Sequence, residues 1–484
     1  MDDARAATTR RLPLPAILAF SAASLPLTAI TVAVLVYLPP HMASHLHVGL
    51  SVIGAAWAIV RLLDVAIDPV LGLAMDATRT PIGRYRPWMM LGAPILMIAV
   101  LKLFMAPPGV TAGYLVLWLL VLYLGLSIVN LSHSAWGATI AADYHDRSRV
   151  FSVLAAVGVV GALVVLAIPI LAGSIGLDEA GVAPAMGWFL LIVTPLAVAL
   201  VTARTPDLVV REHAPRRFSA RDYWRVLVNP HQLRLFFAQL ALSLGPGWMS
   251  ALYLFFFRDS RGFTVGQASS LLAVYIVAGV AGAPLTGRLA MRLGKHRTLM
   301  ITTTAYALGL GTVLVVPKGQ FLAAVPTMFW CGFMAAGFDL MIRAMLADVG
   351  DEIRLDQGKE RTSLLYSLNS LAAKLSPAFA IGLTFPLLAR LGYDAREGAV
   401  NTPAAIHGLE AAFLIGPTAF VLLGGACLVG WRLDARRHAE IRAELDARDA
   451  RLAEASDIEH IAAGPGIAAL GDRDGEIGAG RGQG

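Results

Sequence analysis

Trp57-Ala58-Ile59-Val60-Arg61-Leu62-Leu63-Asp64-Val65-Ala66-Ile67-Asp68-Pro69 is the stretch on which the fold turns. It lies inside a hydrophobic run from 50 to 75, and about 20 apolar residues suffice for a helix to cross the hydrocarbon core of a bilayer. Arg61, Asp64 and Asp68 stand at i, i+3 and i+7, one stripe of that helix. Three charges at mid-membrane cost roughly 8–10 kcal/mol together. Such residues face a wet cavity or pair with one another, and they mark an ion or substrate path. The plainer alternative is an Arg61–Asp64 brace that only locks the bundle, which leaves Asp68 without a partner one turn on.

The rest of the chain is of the same kind. Of 484 residues, 57% are hydrophobic and only 15% charged, and the mean hydropathy is +0.66. Soluble domains carry about 25% charged residues, so a bilayer is the simpler solvent. The net charge of +6 comes from Lys and Arg scattered through short loops. No basic stripe interleaved with aromatics runs through the chain, so no nucleic-acid partner is expected. Cys331 and Cys427 lie in apolar runs and imply no disulfide framework.

Twelve stretches are long enough to span: 14–39, 50–75, 87–106, 112–140, 150–174, 185–204, 232–257, 266–289, 298–316, 321–347, 362–391 and 406–431. Arg and Lys gather in the even-to-odd loops (Arg79, Arg84, Arg86; Arg147, Arg149; Arg288, Arg292, Lys295, Arg297). The positive-inside rule then puts both termini in the cytoplasm of a multi-pass inner-membrane protein. The expected units are a cytoplasmic segment 1–13, a six-helix half 14–204, a cytoplasmic loop 205–230, a second half 231–432 and a charged, partly disordered tail 433–484.

An internal repeat supports the two halves. Pro69-Val70-Leu71-Gly72 followed by Gly83-Arg84-Tyr85-Arg86 is answered by Pro284-Leu285-Thr286-Gly287 followed by Gly294-Lys295-His296-Arg297, at offsets of 215 and 211 residues. Two parallel six-helix halves are the major facilitator architecture, with the substrate path between them. The fold class expected is thus all-α, with twelve transmembrane helices in two pseudo-symmetric halves.

Lys374 lies about 13 residues from Arg361, roughly 20 Å along a helix, too deep to snorkel. It can meet Asp64 and Asp68 at the midplane and compete with a cation for them; the alternative is a static partner for one carboxylate. Asn130, Ser132, His133, Ser134 and Trp136 interrupt an apolar span. Of these, Asn130, His133 and Trp136, with Tyr37 and Asn369, are the candidate cavity lining, though Trp136 also suits a membrane-interface belt. Asp339 and Arg343, at i and i+4, read as a structural pair. His41, His45 and His47 lie in an external loop without a nearby Cys or carboxylate, so no metal site is expected. The chain has no P-loop, Gly-x-Ser-x-Gly or His-Glu-x-x-His, and it reads as a non-enzyme without an ATP engine.

The run Arg61 to Pro69, continuing through Gly72 and Asp76 to Gly83-Arg84-Tyr85-Arg86-Pro87-Trp88, resembles the glycoside–pentoside–hexuronide:cation symporters, the branch of the major facilitators that includes melibiose permease. Ala135-Trp136-Gly137-Ala138, Asp143, Arg147, Asp348, Asp351, Gly358, Arg361 and Lys374 extend the resemblance over most of 14–431. It implies that Asp64 and Asp68 bind the coupling cation, with Arg61 and Lys374 in the same charge network. It further implies that Asp76, Gly83, Arg84, Arg86, Arg147, Gly294, Lys295 and Arg297 serve a cytoplasmic gate. Two departures stand out. Ile67 occupies a position that is often polar in sodium-using members, which favours H+ over Na+. Spans 1 and 4 also lack the acids with which sugar-binding members hold hydroxyls.

The function expected is a symporter of a small organic solute, a sugar or glycoside, working by alternating access. Its partners are the solute, a coupling cation (H+ or Na+) and the lipid bilayer; no other cofactor is expected, and the protein is read as a monomer. A lipid or amphiphile transporter of the same fold is the alternative, and a non-transporting sensor with the tail as its output element is a third.

Overall fold

The computed structural model describes residues 13–140, 144–205, 228–358 and 362–462. Twelve described helices are long and apolar enough to cross a membrane. They are α1 (Leu14–Ser44), α2 (Leu50–Ala77), α3 (Arg86–Phe104), α4 (Ala112–Ile140), α5 (Arg149–Ile175) and α6 (Glu179–Arg204), then α7 (Pro230–Ser260), α8 (Val265–Leu293), α9 (Lys295–Val315), α10 (Phe321–Asp356), α11 (Leu364–Arg390) and α12 (Pro403–Ala426). A thirteenth, α13 (Ala435–Ala462), is polar. The expected segment 1–13 and loop 205–230 lie almost wholly outside the described residues, as do Asp143 and Arg361; the Arg147 side chain is also outside them.

The spans agree with the hydropathy reading except at some ends. The sequence reading stops the tenth span at 347, but α10 runs on to Asp356. Asp348, Asp351, Glu352 and Arg354 end the apolar signal without ending the helix, because a charge breaks no backbone hydrogen bond; the helix stops only where Gly358, at φ 66°, caps it.

Each half packs on itself, α1 against α5 and α3 against α4 and α6 in the first, α8 against α10 and α7 against α11 and α12 in the second. The halves meet along two seams, α2 on α11 and α5 on α8. One line of α2 shows how they meet. A Cβ on Gly54 would lie 2.8 Å from Pro386 Cδ and 3.2 Å from the Ile381 carbonyl, both on α11. Gly72, eighteen residues and five turns further on the same line, would have no atom within 4 Å of its Cβ. The halves therefore touch at one end and part toward the other, the face of the basic loops.

The opposite face is latched across the halves. Tyr37 Oη and Ser269 Oγ are 2.6 Å apart, Ser44 Oγ donates to the Ala395 carbonyl at 2.8 Å, and His45 Nδ1 meets Glu397 Oε2 at 2.9 Å. Glu397 is the carboxylate that the local sequence around His45 does not reveal, because it arrives from the α11–α12 loop. On the basic face α13 docks onto the end of α10. Ile441 and Leu445 are fully buried there, His438 Nε2 lies 3.0 Å from Asp351 Oδ2, and Arg354 donates to Asp449 at 2.8 Å.

Candidate functional site

The charges of α2 and α11 come together where the halves begin to part. Arg61 Nη1 donates to Asp64 Oδ2 at 2.9 Å, and its Nε crosses to the Lys374 carbonyl at 2.8 Å. Lys374 Nζ pairs with Asp68 Oδ2. Both acids are partnered: Asp64 by an arginine of its own helix, Asp68 by a lysine of the other half. Neither the brace nor the open pair of carboxylates anticipated from sequence describes this alone. The helical stripe explains it, since i+3 from Arg61 stays within one side-chain reach while i+7 projects past it toward α11.

Burial separates the two acids. The Asp64 side chain is 1% exposed, Asp68 14% and Lys374 28%. A carboxylate as buried as Asp64 stands only with its hydrogen bonds met, and Ser127 of α4 supplies one, donating to Oδ1 at 3.0 Å. Asp68 keeps a spare oxygen: its Oδ1 is buried and accepts no hydrogen bond. That atom, beside a lysine which can swing away, is suited to hold a proton or a small cation.

Tyr123 and Ser127 are the members that the sequence reading missed. The Arg61 guanidinium sits 4.8 Å from the Tyr123 ring centroid. Tyr123, Ser127, Asn130 and Ser134 follow one another at i, i+4, i+7 and i+11, so the polar stripe was present in the sequence once begun a turn earlier. Asn130 and Ser134 are exposed where the halves part, as are Ser367 and Ser370 on the Lys374 line of α11.

Other expected lining residues are placed elsewhere. His133 and Trp136 are buried, at 2% and 0% exposed, and face α1. His133 Nε2 lies 2.8 Å from the Phe20 carbonyl, and its ring packs on Phe20 as Trp136 does edge-on. They brace the first half from behind, because 133 and 136 lie off the 127/130/134 stripe. Tyr37 belongs to the latch on the opposite face. Asn369 turns into the second half, donating to Gln239 Oε1 of α7 at 3.1 Å.

The loops expected to gate are built on two glycines. Gly83 has φ 118° and Gly294 φ 88°, conformations that side chains other than glycine resist. Past the first turn Arg84 folds in, pairing with Asp76 and donating to the Met75 carbonyl at 3.3 Å. Arg86 ties the loop to the end of α6 at the Thr205 carbonyl, 2.6 Å. Past the second, Lys295 Nζ grips both oxygens of Asp348 at 2.7 and 2.8 Å, while Arg297 is exposed.

Comparison with known proteins bears on the fold and the family. The sequence profile of the family described as MFS/sugar transport protein matches residues 19–435. The isoprimeverose transporter of Lactiplantibacillus pentosus is 23% identical over 401 residues, which cover 79% of this chain and 81% of that one. The glucuronide carrier protein homolog of Escherichia coli (strain K12) is 25% identical over 417 residues, covering 83% and 88%. Among solved structures, the nucleoside transporter NupG superposes with a TM-score of 0.65 at 14% identity, over 86% of this chain and 98% of that one; at that identity it speaks for the fold alone.

Proposed function

The chain belongs to the MFS/sugar transport protein family, and from that premise we propose that it is a cation-coupled symporter of a sugar-like solute. The observation that carries the reading is the Asp68–Lys374 pair, which joins the two halves at the depth where the seam opens. A cation that takes Asp68 releases Lys374 and loosens the only ion pair between the spans of α2 and α11 among the described residues. The halves can then rock about the site. The hydroxyl and amide groups of Asn130, Ser134, Ser367 and Ser370 offer hydrogen bonds to a hydroxylated solute and offer an acyl chain little, so the lipid alternative has no observation in its favour.

Ile67 puts no oxygen beside Asp68, which favours H+ over Na+. The concentration of Arg and Lys on one face supports an inner-membrane orientation with both termini cytoplasmic, and in that frame the structure is open to the cytoplasm. The protein is read as working as a monomer. The test is uptake of a glycoside library by proteoliposomes under an imposed proton or sodium gradient. Asp68→Asn should abolish gradient-driven accumulation while the purified protein keeps its unfolding temperature. Undiminished accumulation in that variant sinks the assignment.

A further inference from the structure

One ion pair is left over from the site. Arg343 Nε donates to Asp339 Oδ2 at 2.6 Å, one turn apart on α10. A brace is expected to be sheltered, yet the two side chains are 68% and 57% exposed. Among the described residues, no other ion pair with both partners inside the twelve spans leaves both more than half open. Charges exposed inside a span face water rather than lipid.

The packing of α10 says which water. Gly332 backs onto Tyr275 of α8, Phe338 and Ile342 are buried in the second half, and Tyr366 of α11 donates to the Arg343 carbonyl at 2.9 Å. The pair thus projects between α8 and α11, the helices that face the other half. Tyr366 is eight residues from Lys374, roughly 12 Å along α11. Helical side chains lean toward their own N-terminus, so Arg343 reaches back toward Asp339 and its head stands within about a turn or two of the Asp68–Lys374 level.

Arg343 uses only its Nε. Its two Nη groups donate to nothing among the described residues, which leaves an exposed planar fork without a partner there. The exposed polar residues of α4, on the opposing wall, are Asn130 and Ser134, both neutral. One wall offers hydroxyl and amide groups, the other a guanidinium held by a carboxylate. We propose that Arg343 is the specificity anchor for a carboxylate on the transported solute, so that the protein selects an acidic, uronate-like glycoside over its neutral counterpart. A guanidinium fork matches a carboxylate in two parallel hydrogen bonds. Asp339 is the positioning residue, fixing Nε so that the Nη edge stays forward. The inference rests on the transport reading above.

The test uses the full chain in proteoliposomes with methyl β-D-glucuronide and methyl β-D-glucoside, which differ in a carboxylate against a hydroxymethyl group. Wild type is expected to favour the glucuronide at least tenfold in kcat/KM. R343Q should cut that preference, read as the ratio of the two probes' kcat/KM, by about 10- to 100-fold, the worth of a charge-assisted bidentate contact, with R343K intermediate. D339N should keep the preference, because its amide oxygen can still accept from Nε, whereas D339A should weaken it by letting the fork swing. A structural brace would make R343Q and D339N fail alike for both probes, and that result overturns the proposal. Cation-coupled uptake of the glucoside without preference for the glucuronide overturns the anchor and leaves the transport reading standing; uptake of neither probe overturns both.

Discussion

Gly54→Ala should tilt the protein toward opening on the face that is latched here. The added Cβ would meet Pro386 Cδ at 2.8 Å and the Ile381 carbonyl at 3.2 Å. One contact is a rigid ring and the other backbone, so neither can turn aside. Ordinary contact begins near 3.4 Å, and α2 and α11 must separate by about half an ångström or more. Overpacking of this kind costs about 1–3 kcal/mol, which is about 5- to 150-fold in the balance between two states. The state in which the halves part at this end is relieved of it; Gly54→Val should push further. Ala183 of α6, 3% exposed and beside Tyr37 and Ser44 on the latched face, provides the reporter. Ala183→Cys, on a background lacking Cys427, should react with a membrane-impermeant maleimide several-fold faster once Gly54 is changed. Gly72→Ala, with nothing within 4 Å, should leave the rate alone. Equal labelling in all three would refute the idea that the Gly54–Pro386 contact holds the seam shut.

Lys374→Ala removes the competitor for Asp68 and should raise the apparent affinity for the coupling cation at least tenfold while slowing turnover; an unchanged affinity in gradient titrations would show that the lysine does not compete. His133→Leu leaves the buried Phe20 carbonyl without its partner and should lower stability by about 1–3 kcal/mol. The solute-to-cation ratio should stay the same, and a shift in that ratio would return His133 to the transport path. Removing residues 434–484 deletes α13 and with it the buried contact that Ile441 and Leu445 make on α10, each side chain worth about 1.5–3 kcal/mol. The unfolding temperature should fall with uptake retained, and loss of uptake at full expression would point to a role for the tail in transport.

The span count, the two halves and the four charges were legible in the sequence because membrane insertion leaves few alternatives. An apolar run of that length must cross, and a charge inside it must find a partner. Facing was harder to read. In α4 the apolar residues surround the helix on all sides, so nothing local told His133 and Trp136 from Asn130 and Ser134. The facing shows only when the stripe is carried back to Tyr123 and Ser127, which meet Arg61 and Asp64 of α2. Long-range pairs were the other blind spot. Glu397 is 352 residues from His45, and the charged tail shows no apolar edge until Ile441 and Leu445 of α13 meet α10.

The Asp68–Lys374 pair makes the protein its own counter-ion. With Lys374 on Asp68 the unloaded carrier is electrically compensated at its centre, and it can return across the membrane without carrying anything. With a cation on Asp68 and no solute, Lys374 is stranded, and closing the cavity would trap an unmatched ammonium in a low dielectric, several kcal/mol uphill. That penalty falls on the one half-loaded form through which the gradient would leak, so tight coupling can follow from a single lysine.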